Sequence, residues 1–369
     1  MTRIARNLAL ALVAAVALGA APAGAASLQT AAGPVQVTRV ADGLTEPWAI
    51  GFLPDASILV TERGGRLLRL TQDGRHAIDG VPPVAAVGQG GLLDVLVPRD
   101  FEQTRELVFT YARRQNGGAG TAVARARLAE DTRRLTDWRV IWEMTPGTRG
   151  GRHFGSRVVE APDGNLFVTV GERGDRPSAQ DLGRANGSVL RIARDGSIPP
   201  GNPFADRTNA LDAIWSYGHR NPQGAALDLS GKLWVVEHGA RGGDEINRVR
   251  RGANYGWPVI AYGTHYSGAK IGVGTHKEGM EQPDFYWDPS IAPSGMIIYS
   301  GKLWPEWKGH FLVGSLKFDH ISHLAGRPLE EIERISGPQT GRVRDIAEGP
   351  EGGIWFLSVD TGALYRMTP

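Results

Sequence analysis

The chain has 369 residues, with 41 Lys+Arg against 39 Asp+Glu, 50 glycines and no cysteine. Without cysteine there is no thiol nucleophile, thiolate metal site, Fe–S cluster or disulfide scaffold, and the core must come from burial alone, which a chain of this length supplies. Charges so evenly balanced create no global field for nucleic acid or an anionic membrane, so any cationic chemistry has to be local.

The first element is a leader. Arg3 and Arg6 form a short positive region, Leu8 to Ala20 an apolar run, and Ala23-Gly24-Ala25 the small-x-small pattern of a signal peptidase site. The apolar run is short for a bilayer span, and no later run matches it. Met1–Ala25 therefore reads as a secretory signal, and Ala26–Pro369 as one exported domain, periplasmic or secreted, with no membrane span. Removal of the two leader arginines brings Lys+Arg to 39, equal to the acidic count.

Beyond the leader one pattern recurs six times: an apolar strand, a polar or Gly/Pro turn, and a second strand rich in Leu, Val, Phe or Trp. In chain order the copies are PWAIGFLPDASILVTER, GLLDVLVPRDFEQTRELVFTYA, SRVVEAPDGNLFVTVGE, GAALDLSGKLWVVEHG, GMIIYSGKLWPEWKGHFLVGSL and VRDIAEGPEGGIWFLSVD. A third strand follows each: GRLLRL, AVARARL, GSVLRI, DEINRV, HISHLAG and GALYRM. Repeated β-meanders without helical crossovers predict an all-β fold, a six-bladed β-propeller with four-stranded antiparallel blades, over a large irregular sandwich. The early segment Val35–Leu44 is expected to complete the last blade and close the ring.

In a propeller the first strand of each blade lines the central channel, so the six strand entrances share one rim. Those entrances read TEPWAI, VGQGGLLD, GRHFGSR, GHRNPQG, APSGM and GRVRDI. They put Trp48, Gln89, His153, Arg220, Asn221, Arg342 and Arg344 around one opening, and the second-strand ends add Gly239, Ala240 and Lys317. Singly, each has an ordinary explanation: a solvated arginine pair, a structural histidine, glycines where inner strands crowd. Together they predict a polar pocket for a multiply anionic ligand.

GQGGLLD, HFGSR, GHRNPQG, DEIN followed by GANYGWP, IAPSGM, SLK and RVRDI, in that order from Leu44 to Met367, resemble the soluble quinoprotein glucose/sorbosone dehydrogenases, most closely their aldose sugar dehydrogenase branch. The resemblance implies pyrroloquinoline quinone (PQQ) and Ca2+ as cofactors, an aldose as substrate and an external electron acceptor. It implies His153 as the general base for the anomeric hydroxyl. Gln89, Arg220, Asn221, Tyr266, Leu316, Lys317, Arg342 and Arg344 would hold PQQ. The carbonyls of Gly239 and Ala240 would bind one calcium, and Glu245 and Tyr255, with Asp244 close by, a second. Gln89 and Trp287 would contact the sugar, the latter by stacking on its apolar face, although core packing accounts for Trp287 equally well. Repulsion from Arg152 and the clamp arginines is expected to keep His153 neutral. The strict glucose oxidisers of the family carry an aspartate where Arg152 stands, which argues for a broader sugar range. The rival functions are a calcium-dependent propeller lactonase and a non-catalytic binding propeller.

Overall fold

Five-residue strands buried at every position dominate the architecture: ILVTE, LFVTV, LWVVE, FLVGS and IWFLS have no exposed face. Such a strand must be flanked by neighbours on both edges and packed on both faces, which explains why it reads as a continuous apolar run and not as an alternation. A ring of radially packed sheets meets both demands.

The computed structural model describes residues 25–369, so the predicted leader, apart from Ala25, lies outside the described residues. The chain begins with β1 (Ala25–Thr30) and β2 (Gly33–Ala41). Blade 1 is β3 (Pro47–Phe52), β4 (Ile58–Glu62), β5 (Arg66–Thr71) and β6 (Gly74–Ile78); blade 2 is β7 (Leu92–Leu96), β8 (Glu106–Gln115), β9 (Gly118–Leu128) and β10 (Leu135–Glu143). Blade 3 is β11 (Val158–Glu160), β12 (Leu166–Val170), β13 (Ser188–Ile192) and β14 (Ile214–Tyr217); blade 4 is β15 (Pro222–Leu227), β16 (Leu233–Glu237), β17 (Asp244–Arg248) and β18 (Phe285–Trp287). Blade 5 is β19 (Pro293–Ile298), β20 (Phe311–Ser315), β21 (His320–Ala325) and β22 (Glu330–Ser336), and β23 (Val343–Glu348), β24 (Ile354–Ser358) and β25 (Ala363–Thr368) begin blade 6. The fold is thus the expected six-bladed propeller with antiparallel blades, each innermost strand touching that of the next blade and β23 returning to β3.

The ring closes as expected, by antiparallel pairing of β2 with β25 (Val37 opposite Met367). The sequence reading did not anticipate β1, which adds a fifth strand to blade 6 and reaches across to β22 of blade 5. Leu28 carries that contact, buried with Val35, Val37, Ile335 and Met367 in one cluster, and the Ala31 amide donates to Glu333 Oε2 at 2.6 Å. Burial of Leu28 alone contributes about 2 kcal/mol toward holding the ring shut.

Below the rim the channel is filled. Arg157, just before β11, donates from Nη1 to Asp94 (β7) at 3.1 Å, pairs through Nη2 with Asp345 (β23) at 2.9 Å, and donates from Nε to the carbonyl of Gln223 (β15) at 3.1 Å. Its guanidinium lies 4.3 Å from the ring centroid of Trp48 (β3). The inner strands of blades 1, 2, 4 and 6 therefore converge on one side chain at the base of blade 3. A buried triad of this kind specifies the arrangement more than it adds stability, because desolvation offsets the attraction. Among the described residues no helix is long and apolar enough to cross a membrane.

Candidate active site

His153 sits in the loop feeding β11, with φ 57°. That left-handed geometry is uncommon for a residue with a side chain and persists only where surroundings impose it. Here the His153 amide donates to Gln89 Oε1 at 2.6 Å, and the Gly155 amide donates to Asn221 Oδ1 at 3.1 Å. The buried Arg173 laces the loop from beneath, donating to the carbonyls of Arg152 and Gly150 with its guanidinium over the Phe154 ring. Gly171 is required opposite: a Cβ there would lie 2.1 Å from the His153 carbonyl oxygen.

The imidazole is nearly buried and its Nδ1 lies 2.7 Å from Glu172 Oε1. The other carboxylate oxygen of Glu172 accepts from the Gly174 amide. A carboxylate accepts only, so Nδ1 carries the proton and Nε2 keeps its lone pair. Burial holds the imidazolium below its ordinary range; Glu172 opposes this, and repulsion from Arg220 and Arg152 adds to it. The expectation that charge repulsion leads is thus corrected: desolvation is the larger cause.

Two cavities adjoin this group. One, of about 750 Å3, is lined by His153, Gln89, Arg220, Gly239, Ala240, Tyr266 and Lys317. The other, of about 440 Å3, is lined by Gln89, Asn221, Gln223, Leu316, Lys317, Arg342 and Arg344. They share Gln89, His238, Ala292 and Lys317, and form one basin at the rim. Among the described residues none of Arg220, Lys317, Arg342 and Arg344 pairs with a carboxylate. Arg220 donates from Nη1 to the His238 carbonyl at 3.2 Å and has a buried Nε without a partner. Arg344 donates to Gln223 Oε1 at 2.6 Å, and burial, with repulsion from Arg157 and Arg342, lowers its guanidinium to about 9. Cations without a paired carboxylate, Arg220 buried and Arg344 half-buried, suit an anionic ligand.

The sites proposed for calcium differ in character. Gly239 and Ala240 lie on the wall of the larger cavity, in a turn so tight that a Cβ on Gly239 would stand 2.1 Å from the Gly242 carbonyl oxygen. Glu245 and Tyr255 line a separate small void beside Glu237. Glu245 accepts one long hydrogen bond, 3.2 Å from Asn247 Nδ2, while Asn247 Oδ1 is buried without a partner. Burial and the neighbouring Glu237 push its carboxyl up to about 8. Oxygen donors short of partners around a small void fit a hard cation.

Trp287 is not brought to the basin. It lies in β18, 3% exposed, packed with Trp234, Ile246 and Phe285, and its Nε1 donates to Glu331 at 3.1 Å. The stacking expected of it is therefore corrected to core packing: the short β18 edge turns the indole between blades 4 and 5. Tyr266, by contrast, projects over the larger cavity with 71% of its surface exposed.

Glu172, Arg173, Gln223 and His238 were missed. His238 has Nε2 2.6 Å from the Pro293 carbonyl, so it donates there, and its conjugate acid lies at about 3. For Glu172 a signal existed: the second strands of blades 1, 3 and 4 end near Glu62, Glu172 and Glu237. His219 and Glu237 repeat the His153–Glu172 contact one blade on, at 2.7 Å.

Fold and site together define a class: a six-bladed propeller with an oriented neutral histidine facing a cationic basin. The chain belongs to the Glucose / Sorbosone dehydrogenase family, whose model matches residues 44–366. It is 42% identical over 354 residues to the aldose sugar dehydrogenase YliI of Escherichia coli, covering 93% of this chain and 95% of that one. To quinoprotein glucose dehydrogenase B of Acinetobacter calcoaceticus it is 26% identical over 409 residues, covering 87% and 84%. The apo-form crystal structure of the E. coli soluble aldose sugar dehydrogenase superposes with a TM-score of 0.88 at 41% identity, covering 91% of this chain and 99% of that one. The PQQ-bound form of the Streptomyces coelicolor aldose sugar dehydrogenase, 24% identical with a TM-score of 0.75 and coverage of 90% and 98%, shares the fold.

Proposed function

We propose that this protein oxidises the anomeric carbon of aldoses to lactones with PQQ and Ca2+ bound in the basin, and that the electrons pass to an external acceptor. The observation that carries this reading is a set of four cations without carboxylate partners next to a histidine held in its proton-accepting tautomer. A flat cofactor with three carboxylates answers the first and a sugar hydroxyl the second. The likeness to an aldose sugar dehydrogenase and to a quinoprotein glucose dehydrogenase supports the same choice.

Arg220, Arg342, Arg344 and Lys317 would pair with the cofactor's carboxylates and oxygens, Asn221, Gln89 and the Leu316 segment lining its edge, with the Gly239 and Ala240 carbonyls offered to calcium. When bound, the quinone supplies the two-electron acceptor for the hydride from C1 and calcium the Lewis acid that polarises it. The protein's own part is proton chemistry and placement. Nε2 of His153 takes the proton of the anomeric hydroxyl, and Glu172 stabilises the imidazolium that forms. Gln89, bonded through Oε1 to the His153 amide, keeps its Nε2 amide hydrogens for a ligand in the same cavity. Burial of the imidazole limits competing protonation by water. The Glu245–Tyr255 void would hold a second, structural calcium.

The lactonase alternative requires carboxylate and amide side chains converging on a metal in the channel. The basin instead presents Arg220, Arg342, Arg344 and Lys317, with a single carboxylate, Asp288, on its wall. The test is to add PQQ and Ca2+ to apoprotein and follow dye reduction with a panel of aldoses. Turnover should require PQQ and fail with a chelator. Absence of PQQ binding would sink the reading and bring the hydrolase forward.

A further inference from the structure

Two arginines lie over the ring of Trp48 and meet opposite fates. Arg157, 4.3 Å from the ring centroid, is neutralised by Asp94 and Asp345. Arg344, 5.7 Å from the same ring, meets no carboxylate; its acceptor is the amide of Gln223 at 2.6 Å. A guanidinium only donates, so Oε1 must face Arg344, and Nε2 then points the other way. There it stands 3.4 Å from the Gly155 carbonyl and 3.4 Å from Asn221 Oδ1, the atom that holds the Gly155 amide. Gln223 is buried, and its backbone carbonyl is fixed by Arg157.

We infer that Gln223 is a positioning residue that aims Arg344 into the basin while leaving its charge unspent, and that links this clamp to the loop carrying His153. The inference rests on the PQQ reading. A glutamate at 223 would reach the same oxygen position, yet it would form an internal ion pair like those of Arg157 and set a negative charge beside the cofactor's carboxylates. The neutral amide gives direction without neutralisation.

The test compares Gln223→Glu and Gln223→Met with the unmodified protein, reading PQQ affinity by absorbance titration and the Tm of the apoprotein. In Gln223→Glu PQQ binding should weaken by about 10²-fold, within the range of what a lost buried charge pair produces. Gln223→Met keeps the charge and loses the aim, so PQQ binding should fall less, by about tenfold, the scale of a hydrogen bond to a charged group. Glutamate is the closer isostere, so packing damage would order the two variants the other way. Both substitutions take a donor away from the Gly155 carbonyl and Asn221 Oδ1, so the apo Tm should fall by a similar small amount in each. A Gln223→Glu protein that binds PQQ within about threefold of the parent, or no more weakly than Gln223→Met, overturns the inference. If the parent itself fails to bind PQQ, the cofactor reading falls and the inference falls with it.

Discussion

Nδ1 of His153 lies 2.7 Å from Oε1 of Glu172, and this contact selects the nitrogen that faces the basin. The two residues flank the same hairpin, β11–β12, so one blade supplies both the base and the group that orients it. Glu172→Gln keeps the shape and loses the obligatory acceptor, so the ring is free to take the other tautomer. Turnover should fall about 10²-fold, within the usual range for a general base, with PQQ affinity unchanged within a few-fold. Steady-state kinetics beside a PQQ titration checks it, and equal losses in both would point to a collapsed loop.

Because burial holds the His153 imidazolium below its ordinary range, the group is protonated only at lower pH, and activity needs it neutral. The acid limb of kcat/KM should therefore fall below about pH 6.5. Arg152 contributes repulsion, so Arg152→Gln raises the histidine pKa and should move that limb to higher pH. A pH–rate profile of the two proteins measures this; a limb displaced downward would contradict the electrostatic account.

Arg344 serves the ligand more than the fold. Arg344→Met removes a half-buried cation without a carboxylate but also leaves Gln223 Oε1 without its donor, so the apo Tm should change little while PQQ affinity drops about 10²-fold. Thermal denaturation with and without PQQ reads both effects, and the stabilisation by PQQ seen in the parent should shrink accordingly.

Glu245→Gln should abolish the thermal shift that calcium confers through the blade 4 void. An ion at 100 times its Kd stabilises by about 2.7 kcal/mol, so on chelation the parent should lose several degrees more than the variant, which answers only through the basin calcium. A variant that keeps the full chelator response would place that calcium elsewhere.

The hairpins were legible because their second strands are buried on both faces and read as apolar runs between turn signals. The fourth strands were not. β14 follows the loop at 193–213 and β18 the loop at 249–284, and the short FYW of β18 has no periodicity to find. β1 was missed because its pairing partner β2 and its contact β22 lie on two different blades. Glycine-flanked His153 stood out as a residue, whereas Glu172 resembled any strand-end glutamate until the fold put it against Nδ1. Trp287 misled because an indole near a rim motif is equally at home in a core, and its neighbours decide which.

By itself the sequence determined the repeat, and with it the blade count and the rim on which the chemically unusual residues collect, because strand period and turn residues are local properties. Which arginines remain charged and free was decided by tertiary structure alone. Arg157 and Arg344 belong to similar polar strand entrances, and nothing local distinguishes them. Arg157 meets Asp94 across 63 residues, and Arg344 meets Gln223 across 121. The charge a guanidinium can offer a ligand depends on what stands within a few ångströms of it, and in a ring of blades those neighbours come from other turns of the repeat.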